Sequence, residues 1–218
     1  MTRDWHEWHS EYDDPASSLS RRLADVRRLL GADLDARADA GARSVRLLSL
    51  CAGDGRDTIP VLAARRGLEV DACLVELDPT LANAARSAAA AAGVDVDVRT
   101  ADAGSSAAFR DRLPGDVLMV CGIFGNISDA DVERCVAASQ ALVRPGGTVI
   151  WTRGSRVPDD PTSHRADPAE WVRGLFAAAG FEEAAFVAPE DASYRVGVCR
   201  HAGAELGWAP AWSFSFVR

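Results

Sequence analysis

Apolar positions set the order of elements along the chain. Leu19, Leu23, Val26 and Leu30 recur at three- and four-residue spacing, which predicts an amphipathic helix with Ser17 or Ser18 as N-cap and Gly31 as its stop. Beyond it, short apolar runs alternate with helical stretches. Residues 45–51 read as a buried strand ending in Ala-Gly-Asp-Gly, and residues 58–66 as a helix stopped by Gly67. Residues 70–77 form a second strand. Pro79 then starts an alanine-rich helix that Gly93 stops. Residues 94–100 and 116–121 give the third and fourth strands, and 130–142 the next helix. Pro145-Gly146-Gly147 turns into a fifth strand, 148–153, and a helix over 167–179 carries Pro168 in its first turn. The last two runs, 181–188 and 194–201, are joined by too few residues for a crossover helix, so they must pair antiparallel. The pattern is α/β: a doubly wound, Rossmann-like, seven-stranded and mostly parallel sheet with a C-terminal antiparallel hairpin. The tail, 213–217, alternates like one more short strand.

Composition narrows the chemistry. The 218 residues suit one domain with a sizeable core, and 48% hydrophobic with 26% charged residues is an ordinary globular balance. All 24 basic residues are arginine. Without lysine there is no Schiff-base amine and no P-loop lysine. A net charge of −8 argues against nonspecific nucleic-acid binding. The N-terminus is polar and aromatic, unlike a secretory signal, and no apolar run is long enough to span a membrane. Cys51, Cys73, Cys121, Cys135 and Cys199 are dispersed, with no Cys-x-x-Cys and no Cys/His spacing, so reduced thiols, no metal and a cytoplasmic location are expected.

In such a sheet the ligand sits beyond the carboxyl ends of the strands, so the loops there carry the information. After the first strand, Gly53 and Gly55 allow a tight turn and close backbone approach. The second strand ends at Glu76, a place where a carboxylate accepts two hydrogen bonds from a ribose diol. Asp102 follows the third strand, within reach of an adenine amine. Cys121-Gly-Ile-Phe-Gly-Asn126 follows the fourth, small and apolar enough to lie along a flat base or a reacting group. Each acid also reads as a helix cap or a solvated loop residue, although Asp78 already fills the capping place beside Glu76.

These residues carry a resemblance. Leu47-Leu-Ser-Leu-Cys-Ala-Gly-Asp-Gly55, Leu74-Val-Glu-Leu-Asp-Pro79, Thr100-Ala-Asp-Ala103 and Leu142-Val-Arg-Pro-Gly-Gly147 resemble the ordered motifs of class I S-adenosylmethionine-dependent methyltransferases. The chain also looks like a group of actinobacterial members of that family. The resemblance implies S-adenosyl-L-methionine as cofactor, with Gly53 and Gly55 facing its methionine part, Glu76 on the ribose, and Asp102 and Ala103 at the adenine. Cys51, Ala52, Asp54, Leu77, Cys121, Gly122 and Ile123 complete the expected contacts, and Arg21 or Arg22 would reach the carboxylate. Two positions depart from the pattern: Ser49 replaces the usual acid and Cys51 the first glycine. The cofactor's amino group would then fall to the backbone, Asp54 or Asp57.

Methyl transfer from a sulfonium is an in-line displacement, in which the protein supplies alignment and exclusion of water. Residues 1–40 read as an N-terminal helical lid and 41–218 as the cofactor-binding domain. Tyr12 and, after the fifth strand, His164 are the catalytic candidates. Trp8, His9, Phe124, Asn126, Trp151 and Arg153 are the candidates for a small-molecule or peptide acceptor, each with a plainer reading as core or solvated surface. Two other functions compete. A nicotinamide-dependent oxidoreductase would need a glycine where Thr58 stands. A noncatalytic S-adenosylmethionine-binding partner protein is left open by Ser49 and Cys51.

Overall fold

The computed structural model describes Tyr12 and residues 14–154, 167–203 and 212–217. Helix α1 (Ser18–Asp39) comes first, capped by Ser17, whose hydroxyl accepts from Ser20 N–H. The elements then alternate: β1 (Ser44–Leu50), α2 (Ile59–Ala63), β2 (Glu69–Glu76), α3 (Pro79–Ala92), β3 (Asp97–Thr100), β4 (Gly115–Val120), α4 (Asp129–Leu142), β5 (Val143–Gly154), α5 (Pro168–Ala178), β6 (Phe181–Val187) and β7 (Tyr194–His201). The strands form one sheet in the order β3-β2-β1-β4-β5-β7-β6. Strand β7 runs antiparallel to both β5 and β6, and the other pairs are parallel. Between β1 and β4 the order of winding reverses, which opens a crevice at the carboxyl ends of those strands.

Helices cover both faces, so the central strands are apolar on both sides. Leu48 and Leu50 of β1 and Leu118 and Val120 of β4 pack with Val132, Val136 and Phe176 of α4 and α5. The alternate positions, Leu47, Val117 and Met119, pack with Leu30 and Leu34 of α1, Ile59 of α2 and Ala85 of α3. Among the described residues no helix is long and apolar enough to cross a membrane.

The structure differs from expectation in several places. Helix α1 continues past Gly31 to Asp39. Leu34 repeats the buried face of Leu30, and a Cβ at Gly31 would strike the Arg65 guanidinium, which pairs with Asp35 at 2.7 and 2.8 Å. The glycine therefore lets α1 pass close to the end of α2 rather than stopping it. Helix α2 is a five-residue piece, and β5 begins already at Val143. Residues 213–217 make two isolated bridges, Ser105 with Ser213 and Ile127 with Phe216, in place of a strand.

Candidate functional site

The loops after β1, β2, β3 and β4 converge on one cavity of about 570 Å³, within the size range of small-ligand sites. The first loop is shaped by left-handed backbone at Cys51 (φ 54°), Gly53 (φ 58°) and Gly55 (φ 73°). For a residue with a side chain this conformation costs about 1–2 kcal/mol. Cys51 thus keeps the backbone shape of the glycine it replaces, and the turn survives the departure.

Glu76 ties the first two loops together. Its Oε2 accepts from Gly53 N–H and its Oε1 from Asp78 N–H, both at 2.8 Å. Asp78 separately caps α3, accepting from Thr80 N–H at 2.7 Å. Glu76 is therefore not a helix cap, and each of its oxygens keeps acceptor capacity toward the cavity it lines. Asp102 also lines the cavity and turns its own loop by accepting from Gly104 N–H at 2.8 Å. Leu77, Pro79 and Leu81 supply apolar wall at this end.

The other end is ionic and aromatic. Arg22 donates to the Tyr12 hydroxyl at 2.8 Å, and Arg56 lies over the Tyr12 ring at 4.4 Å. Arg56 is itself held by Asp54, Nε to Oδ1 at 2.8 Å. Asp57 faces the same space, and burial raises its pKa, a shift that the Thr58 hydroxyl at 3.0 Å partly opposes. Burial likewise raises Tyr12, and Arg22 works against that rise. The Cys51 and Cys121 thiols are pushed up by burial, so neither is a thiolate nucleophile near neutral pH.

Of the residues singled out from sequence, Tyr12, Cys51, Ala52, Gly53, Asp54, Glu76, Leu77, Asp102, Ala103, Cys121 and Gly122 line this cavity. Others do not reach it. Arg21 points away and forms a bidentate pair with Asp191 at 2.7 and 2.9 Å; its neighbour Arg22 is the one at the cavity. Gly55 serves packing, because a Cβ there would lie 2.5 Å from Ile59 Cδ1 and 3.1 Å from Leu74. Ile123, Phe124 and Trp151 are fully buried in the core, with Trp151 stacked on Phe176. Asn126 turns back to donate to the Gly122 carbonyl at 2.7 Å. Arg153 donates to the Phe124 carbonyl and pairs with Asp129, fixing the loop after β4 from behind. Trp8, His9 and His164 lie outside the described residues. Sequence reasoning did not single out Leu81 or Phe216, which both line the cavity.

The comparisons with known proteins fit this geometry. A family model described as a methyltransferase domain matches residues 47–147, the span from β1 into β5 that carries the four converging loops. The chain carries a class I S-adenosylmethionine-dependent methyltransferase domain. The solved structures similar to this methyltransferase share its fold at low identity. A protein of Pyrococcus horikoshii OT3 is 14% identical with a TM-score of 0.64, covering 92% of this chain and 100% of its own. The magnesium protoporphyrin IX methyltransferase of Synechocystis, solved with bound S-adenosylhomocysteine, is 13% identical with a TM-score of 0.61, covering 90% and 93%. A structure described as converting a disulfide bond into a thioacetal group in echinomycin biosynthesis is 23% identical with a TM-score of 0.53, covering 78% and 80%. No curated protein sequence matches the chain. The methyltransferase's cofactor is S-adenosylmethionine, and the donor set suits it: carboxylates and apolar wall at one end of the cavity, an arginine and a carboxylate at the other.

Proposed function

We propose that this methyltransferase methylates a small molecule or short peptide, with the cofactor lying along the cavity from Asp102 to Arg22. The carrying observation is the polarity of that one cavity. Glu76, with both oxygens oriented by backbone N–H groups, suits a ribose diol, and Asp102 an adenine amine. Arg22 suits a carboxylate. Asp57 suits an ammonium, the task that Ser49, buried within β1, is too short and uncharged to take.

When bound, the cofactor supplies an electrophilic methyl group on a sulfonium. The protein's part is to align and to exclude water. Tyr12, between Arg22 and Arg56, keeps its phenolic proton and serves as a wall and hydrogen-bonding group rather than as a base. With Arg22 and Leu23 at the start of α1 it lines one side of the cavity, which supports a covering role for this part of the chain. For acceptors that must lose a proton, His164 is the proposed base, because imidazole is the side-chain type suited to proton transfer near neutral pH.

Titration calorimetry tests the assignment. The unmodified protein is expected to bind S-adenosylhomocysteine, and no detectable affinity would refute the cofactor site. Arg22→Ala is expected to weaken that ligand by about 10–100-fold, the loss of one charge-assisted contact. 5′-Methylthioadenosine, which lacks the amino-acid end, should be affected by no more than about threefold. Equal losses for both ligands would remove Arg22 from the carboxylate.

A further inference from the structure

We propose that the C-terminal tail, residues 212–217, is the outer wall of the nucleoside subsite, with the Phe216 ring taking a face of the purine. The proposal rests on the cavity being the cofactor site. Aromatic residues alternate along the tail at Trp212, Phe214 and Phe216, which puts them on one side of an extended segment. The row runs outward from the core. Trp212 and Phe214 are buried, and the rings meet edge to face at 5.8 and 5.5 Å. Phe216 ends the row 41% exposed, and it lines the cavity. Leu77, at the end of β2 and 62% exposed, lines the same cavity. Two exposed apolar side chains on one concave surface are what a flat, apolar ligand would cover.

The tail is built into the loops that carry the site. Trp212 Nε1 donates to the Ala103 carbonyl at 2.8 Å, one residue from Asp102. Gly104 has no side chain because the Phe214 carbonyl occupies the place of its Cβ. Further along, Val217 N–H donates to the Asn126 carbonyl at 2.9 Å. Arg134 of α4 donates to the Ser213 carbonyl at 3.2 Å. The segment therefore stitches the loop after β3 to the loop after β4, and it places Phe216 where the two meet. A strap held at both loops positions an aromatic ring with little freedom, which is the condition for stacking rather than nonspecific burial.

The test uses the full-length protein, calorimetry with S-adenosylhomocysteine and with 5′-methylthioadenosine, and melting temperature. The unmodified protein must bind S-adenosylhomocysteine; if it does not, the cofactor site itself fails, and that outcome is distinct from those below. Phe216→Ala is expected to weaken both ligands by about the same factor, 10-fold or more, as loss of an aromatic stack does. Phe216→Trp should bind both within about threefold of the unmodified protein, and neither variant should melt more than about 2 °C lower, because the ring lies at the exposed edge of the aromatic row. Unchanged affinity in Phe216→Ala overturns the proposal. So does a loss confined to S-adenosylhomocysteine, an equal loss in Phe216→Trp, or a loss accompanied by a large fall in melting temperature.

Discussion

Glu76→Ala is expected to weaken S-adenosylhomocysteine binding by about 100–1000-fold, the largest effect of any single change at the cavity. Two charge-assisted hydrogen bonds, each worth about 1.5–3 kcal/mol, disappear together with the acceptor for the ribose. Those bonds also hold the glycine loop to the start of α3: Gly53 N–H reaches one oxygen and Asp78 N–H the other. Without them two backbone donors face the cavity unmatched, and the loops lose their common anchor. Glu76→Gln separates the two contributions. Its amide oxygen satisfies one N–H, while its NH₂ group meets the other donor, so an intermediate loss of about 10-fold is expected. Calorimetry on the three proteins decides. If Glu76→Ala binds as tightly as the unmodified protein, Glu76 holds neither the ribose nor the loop shape on which the ligand depends.

How far the sequence carries depends on whether a feature is local. Asp78 as a cap and Gly93 as a left-handed stop at φ 63° are settled within a few residues, and both are legible. The central strands read as continuous apolar runs because helices cover both faces of the sheet, so their order along the chain is plain. Gly31 misleads because its role is set by Arg65 on another element. Arg21 and Arg22 are adjacent in sequence but about 100° apart around a helix. Only the burial of α1 decides which of them meets the cavity and which meets Asp191. The tail shows the same limit. Its alternation is visible, but not that Trp212 would find the Ala103 carbonyl and carry Phe216 to the cofactor loops. Gly53 and Gly55 belong to one motif, yet Gly53 lines the cavity while Gly55 makes room for Ile59. Spacing alone does not separate the two roles.

Gly197→Ala is expected to be the most damaging change to the fold, although nothing in the local sequence marks that glycine. Gly197 pairs directly with Trp151 across β7 and β5. A Cβ on it would lie well under 3.0 Å from Cε2, Cζ2 and Nε1 of the indole. The ring has no way to retreat. It stacks on Phe176 with centroids 5.9 Å apart, meets Phe186 at 6.1 Å and Phe124 at 6.3 Å, and donates from Nε1 to Cys199 Sγ at 3.4 Å. Overpacking of such a site should cost about 3 kcal/mol or more. For a chain of this length that is a fall of about 6–12 °C in melting temperature. Trp151→Phe removes Cζ2 and the rest of the outer ring and leaves space into which the smaller ring can shift, so the double variant should melt above Gly197→Ala alone, and the pair should be non-additive. The same comparison decides what Trp151 does. As a core residue behind the loop after β4, it should leave S-adenosylhomocysteine affinity within about threefold when changed to Phe. A large loss of affinity would instead place the indole at the cavity. A melting temperature unchanged in Gly197→Ala would mean that β5 and β7 separate easily, and that the antiparallel hairpin is not locked to the parallel sheet by this contact.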